Sequence, residues 1–219
     1  MRTGEESEPC VTLATVLAPV WTELTSWLAA NAPRMYECLR PAGDPGRILS
    51  AEEQLGFALG AELTEWWHLH DGVTHGNIVP GYELLGVDGM LNRHQTQLDV
   101  NFEEEVNEMA RRNLGLADDE AGGPARYFPA ELIPIGDDGA GNYLVVDCRP
   151  GPERGCLRDH DHEDRGVIQP PMFDSLTDLV TRVVTSLRTG QPLEIRTPAG
   201  TLRRTPTVSD GMVWWNSTT

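Results

Sequence analysis

Apolar residues recur at three- and four-residue spacing from Leu13 through Val16, Leu17, Val20, Leu24, Trp27 and Leu28, so residues 12–30 read as an amphipathic helix. Pro19 kinks it or starts a second helix within its first turn. Residues 31–48 carry three prolines and read as a linker or extended arm, which puts a boundary near 49. Ser50 followed by Glu53 forms a capping box and predicts a helix start. Leu55, Leu59, Leu63, Trp66 and His70 continue an apolar face, with Gly60 dividing it into two helices. Asp71-Gly72 closes the second, because glycine takes the left-handed conformation that ends helices.

The pattern then changes period. Residues 78–86 alternate toward a strand, and 88–113 return to helical spacing through Phe102, Val106, Met109 and Ala110. Residues 115–126 form a Gly/Asp loop. ELIPIG and NYLVVDC read as strands joined by a DDGAG turn. Residues 156–169 predict one or two more strands. FDSLTDLVTRVVTSLRTG is a helix capped by Asp174 or Ser175, with Leu176, Leu179, Val180, Val183, Val184 and Leu187 on its stripe and Gly190 at its end. The tail predicts strands near 193–197 and 211–215. Clustered rather than alternating helices and strands define an α+β domain.

Charge narrows the function. The 219 residues carry a formal net charge of −17, which repels nucleic acid and anionic membrane and attracts basic partners. All 17 basic residues are Arg. With no Lys, a G-x-x-x-x-G-K phosphate loop, a Schiff-base lysine and the kinase ion pair are impossible. No apolar run is long enough for a membrane span, and the acidic N-terminus lacks a signal-peptide core, so a cytoplasmic location is expected. Cys10, Cys38, Cys148 and Cys156 have no C-x-x-C spacing and read as free thiols, Cys148 as core.

Candidate chemistry is sparse. WWHLHDG (66–72) is eye-catching, yet His68 and His70 point to different faces of a helix and cannot chelate one metal. Trp66 and Trp67 read as core, and His70 as a last-turn residue facing the helix dipole. RDHDHEDRG (158–166) offers His160, Asp161, His162, Glu163 and Asp164. On an extended strand His160 and His162 would share a face, but a third ligand at a defensible spacing is lacking, so a solvated hairpin is the favoured reading. GDDGAGN (136–142) fails the calcium-loop pattern, with Tyr143 where glycine is required, and reads as a hairpin turn. No G-x-G-x-x-G or G-x-S-x-G is present. No catalytic residue, metal ligand or cofactor is assigned.

Taken in order, WWHLHDG, GYELL, a long acidic helix, IPIGDDGAGNYLVVDCRPGPERGCL and FDSLTDLVTRVVTSL resemble the SUKH superfamily, the Smi–Knr group, over about residues 50–190. The resemblance implies a mixed, mainly antiparallel sheet flanked by helices and no catalysis. With the boundary near 49, this divides the chain into an N-terminal helical extension and linker over 1–49, the resembling domain over 50–190 and a strand-containing tail over 191–219. Trp66, Leu69, His70, Asp71, Gly72, Gly136, Asp138, Gly139 and Asp147 stand at its motif positions as structural residues. Bacterial members act mostly as immunity proteins that bind polymorphic toxins, often nucleases; fungal members are interaction proteins of cell-wall synthesis. The expected partner is therefore a basic toxin domain, met by Glu103, Glu104, Glu105, Glu108, Asp137, Asp138, Asp159, Asp161 and Glu163. The alternatives are a cell-wall regulatory interaction protein and a metal-dependent hydrolase built on His160, His162 and Glu163.

Overall fold

The computed structural model describes residues 16–104, 120–123, 125, 128–162 and 170–217. The order is α1 (Leu17–Asn31), α2 (Pro33–Cys38), α3 (Pro45–Leu55), α4 (Ala61–Leu69), β1 (Glu83–Leu84), α5 (Val87–Glu104), β2 (Leu132–Asp137), β3 (Tyr143–Asp147) and β4 (Leu157–His160). After these come α6 (Leu176–Thr189), β5 (Leu193–Thr197), β6 (Gly200–Ser209) and β7 (Met212–Ser217). This is the α+β class the pattern predicts. The described strands form two antiparallel sheets, β1-β2-β3-β4 and β5-β6-β7.

Two of the three prolines of the expected linker start helices instead. Pro33 and Pro45 occupy first-turn positions of α2 and α3, where a missing N–H costs nothing. Asp44, not Ser50, caps α3, its carboxylate accepting from Arg47 N at 2.8 Å. Ser50 lies inside that helix, which runs on through position 49. Pro19 sits in the first turn of α1, and Gly60 precedes α4. Ser175 caps α6 by accepting from Asp178 N, and Gly190 closes it in the left-handed conformation. Glu62 of α4 adds a second cap, accepting from Leu176 N and Thr177 N.

The four-stranded sheet is buried on both faces. Leu84, Ile133, Ile135, Leu144, Val146 and Leu157 join the main core with α1, α4 and α6. Leu132, Tyr143 and Val145 face the other way, with Ala125, Phe128 and Leu98 of α5. A strand buried twice reads as a continuous apolar run, and LIPIGD and YLVVD do. The unpredicted strand β6 has the opposite character. GTLRRTPTVS is polar and largely exposed, so it carries no apolar period, and its pairing with β5 and β7 defines it. Leu193, Ile195 and Val213 of this second sheet enter the main core.

Helix α4 ends at Leu69, and the chain turns under β1. Val73 N donates to Leu84 O at 3.0 Å, while Leu85 N donates to Ile135 O at 2.8 Å. The turn requires glycine. Gly72 has φ +77, and a Cβ there would lie 2.5 Å from Gly86 N and 2.6 Å from Leu84 O. Gly72→Ala is therefore expected to cost about 2–4 kcal/mol from backbone conformation and overlap combined. Urea unfolding checks this as a lowered midpoint at unchanged slope.

Candidate functional site

The β2–β3 turn and the end of β4 bring Asp137, Asp138, Asp159 and Asp161 to one end of the first sheet. Asp137 is consumed by the fold. It is 9% exposed, one oxygen accepts from Gly139 N at 2.7 Å, and the other pairs with Arg93 at 2.7 Å. Asp138 is exposed and organises the turn, accepting from Ala140 N at 2.7 Å, Asn142 N at 3.0 Å and Asn142 Nδ2 at 2.7 Å. Partial burial pushes the Asp138 carboxyl up, but these hydrogen bonds outweigh it and hold the group below its ordinary pKa. Asp159, half-buried, accepts from the Tyr82 hydroxyl at 2.6 Å. Burial first, then the Asp159 charge, raises the Tyr82 pKa and keeps the phenol protonated. Asp161 is half-buried. Glu103 and Glu104 close α5. Glu105, Glu108 and Glu163 lie outside the described residues.

His160 and His162 part company. His160 ends β4 and is buried, its ring stacked on Tyr143 and edge-on to Phe128, with Nε2 3.0 Å from Gln97 Oε1. His162 lies beyond the strand, exposed, and both its backbone N and its Nδ1 meet Asn142 Oδ1. The shared face that an extended strand would give them is not formed, because β4 stops at His160. Among the described residues, no group of three His, Cys, Asp or Glu converges as a metal site. Cys148 and Cys156 are buried free thiols whose pKa burial raises to about 12, far from a nucleophilic thiolate.

Asp147 lies at the centre of a buried ionic cluster. Its carboxylate accepts from Arg149 Nη2 at 2.7 Å, Arg158 Nη1 at 2.9 Å and Gly122 N at 3.0 Å. Both guanidiniums also donate to Gly123 O, which fastens 120–123 over the sheet. Burial pushes the Asp147 carboxyl up, but Arg149, Gly122 and Arg158 together hold it below its ordinary value.

The WWHLHDG segment is architectural in its described contacts. Trp66 and Trp67 are fully buried. His70 stacks on Trp21 at 4.3 Å and meets Trp66 edge-on at 4.3 Å. Its Nδ1 accepts from Gly72 N at 2.9 Å. Burial lowers the His70 pKa to about 3, so the ring is neutral and cannot act as a cation on the helix dipole; exposed His68 occupies the last turn instead. Asp71 caps α5 by accepting from Val87 N at 2.8 Å. Leu69 is half-buried, and Gly136 lies against Tyr82 and Leu144, where a Cβ would lie 2.9 Å from the tyrosine. Gly139 takes φ +79 in the turn.

Sequence reasoning overlooked Trp21, Arg149 and Arg158. Trp21 carried a usable signal, four residues after Leu17 and three before Leu24. The two arginines carried none, since a buried arginine is recognisable only beside its carboxylate.

These features define a helix-flanked, mainly antiparallel α+β domain whose acidic turn and buried polar residues are organised by the fold itself. The SMI1 / KNR4 family (SUKH-1) profile matches residues 44–182, more than half of the chain, and the chain belongs to that family. It is a family of immunity-protein and cell-wall-related domains. No curated protein matches the chain.

Two predictions follow from the buried polar groups. Asp147→Ala takes the carboxylate away from two buried guanidiniums and is expected to cost ~3–5 kcal/mol in urea unfolding. The second concerns pH. Burial lowers His160 to about 4 and His70 to about 3 from an ordinary 6.5, and lowers His94 as well. Below that ordinary value the unfolded chain binds protons that the folded chain refuses. Stability is thus full above it and falls with pH, by on the order of 1 kcal/mol per pH unit per histidine. Melting temperatures between about pH 7 and pH 5 should show this slope, reduced in His160→Phe.

Proposed function

We propose that the protein is a non-enzymatic binding domain that acts as an immunity protein, neutralising a basic, nuclease-type toxin by occupying it. Family membership over residues 44–182 is the observation that carries this reading. The net charge of −17 supports the choice of partner, because a toxin that grips phosphates must present a basic surface. Asp138 is exposed, Asp159 and Asp161 are half-buried beside it, and Glu103 and Glu104 end α5. Such carboxylates steer association more than they set final affinity.

The tagged protein is recovered from its producing cells at low and high salt. The expected result is a basic protein that co-purifies at low salt, is released at high salt, and loses nuclease activity when the purified chain is added back. Glu103→Lys, Glu104→Lys and Asp138→Lys together should slow its association at least about tenfold at low salt and flatten the salt dependence. Recovery of the chain alone, or an associated protein indifferent to both salt and charge reversal, contradicts the proposal.

A further inference from the structure

Strands β5, β6 and β7 follow the family-matched span, and β7 forms one edge of their sheet. The β6–β7 turn is Asp210-Gly211, with φ +52 and +73, a two-residue turn of type I′. Its flanking pair, Ser209 and Met212, is therefore hydrogen-bonded, and alternation along an unshifted register directs the backbone groups of Trp214 and Asn216 toward β6. Those of Trp215 and Ser217 point away from it. Pro206 agrees with this phase, since it stands opposite Trp215, where β6 has no N–H to give β7. Among the described residues, no backbone group meets the N–H or C=O of Trp215 and Ser217. Helix α2 covers the start of the strand, where Met35 N donates to Gly211 O at 3.0 Å, and Val213 is buried. The open edge therefore runs from Trp214 to Ser217, of which Trp214, Asn216 and Ser217 are exposed.

Natural sheet edges are blunted by charged residues, by proline or by a bulge. Residues 214–217, WWNS, carry no charge and no proline, and their register with β6 has no shift. The edge is also held in place. Trp215 Nε1 donates to Asn77 O at 3.1 Å, Asn216 Nδ2 donates to Thr207 Oγ1 at 3.0 Å, and Arg204 donates to the Ser217 hydroxyl. Trp214 stands 57% exposed on the outer face. Charge selects the occupant. The chain carries −17, yet residues 191–217 hold Arg196, Arg203 and Arg204 against Glu194 and Asp210 alone. This sheet is therefore a poor seat for a basic protein. Two acidic chains meet here with the least repulsion, and WWNS against WWNS sets no like charges opposite one another.

We propose that two copies of this chain associate through β7, whose open edges pair antiparallel about a two-fold axis at Asn216. Trp215 N–H donates to Ser217 O of the second copy and Trp215 O accepts from its N–H, and the symmetry repeats both bonds. The two sheets become one continuous sheet. Asn216 then faces its own counterpart at a non-bonded position, where side chains are closest. Trp214, two residues along the same face, reaches diagonally over Asn216 of the second copy. An isologous contact of this kind closes as a dimer. Its short edge buries little area, which sets a dissociation constant on the order of 100 µM.

Sedimentation velocity of the full chain from about 10 µM to about 1 mM measures the association. The expected result is a monomer–dimer equilibrium that tightens with added salt, which screens the repulsion between acidic chains. The toxin complex proposed above weakens with salt instead, so the two readings fail separately. Amide hydrogen exchange at Trp215 and Ser217 is expected to slow as concentration rises through the same range. Asn216→Lys sets like charges directly opposite and should raise the dissociation constant at least about tenfold, in a protein that melts as the parent does. Leu49→Lys, at an exposed position on α3, should leave it unchanged. The proposal is overturned by a chain that stays monomeric up to about 1 mM, by a dimer that forms without slowing exchange at Trp215 and Ser217, or by a dimer that Asn216→Lys leaves intact. Exchange in the parent chain decides the matter if the lysine variant does not fold.

Discussion

Between Leu69 and Val73 the chain leaves a helix and is tied down on every side. Asp71 N donates to Pro41 O, Arg40 N to Gly72 O, Val73 N to Leu84 O, and Gly72 N to the His70 ring. The Asp71 carboxylate takes Val87 N and so begins α5. Gly72 and Gly86 pass so closely that a side chain on either would overlap backbone or the Asp71 carboxylate. Five residues thereby fix the end of α4, the start of α5, the arm between α2 and α3 and the short strand β1. Since Leu85 bonds to Ile135, the first sheet takes its position from the same crossing. Side-chain packing around Trp66 and Trp67 supplies the apolar burial, but the crossing decides which elements share it.

The far face of that sheet needs a different solution. Where irregular chain joins α5 in covering that face, the backbone polar groups of the covering segment must be satisfied. Asp147, Arg149 and Arg158 do this through Gly122 and Gly123. A buried ionic cluster adds little net stability over an apolar one, but it accepts only one arrangement of its partners. Polar groups inside the molecule therefore specify positions.

Much of the architecture was legible because it rests on local signals. Helix α6 shows its stripe, its Ser175 cap and its terminal Gly190 within one segment, and β2 and β3 show unbroken apolar runs. What escaped depends on partners distant in sequence. The Ser50–Glu53 box satisfied a helix-start pattern, yet Asp44 and Pro45 start that helix earlier. Strand β6 has no apolar period of its own and exists through its pairing with β5 and β7. At the candidate site the carboxylates were visible as charges. That Asp137 would be spent on Arg93 and Gly139 while Asp138 stayed exposed depended on the geometry of the turn. His70 was legible as a buried member of the Trp66 face, but its neutral state required knowing that Trp21 covers its ring.

If the crossing at Leu69–Val73 holds the molecule together, its amides cannot open by themselves. Native-state hydrogen exchange of the Gly72, Val73 and Val87 amides measures this directly. The account predicts that all three exchange only through global unfolding, with the same free energy and denaturant dependence as the amides of Leu144 and Val146 in β3. Exchange of these three through a small local opening, while the β3 amides stay protected, would show that the fold stands without the crossing and would contradict the account.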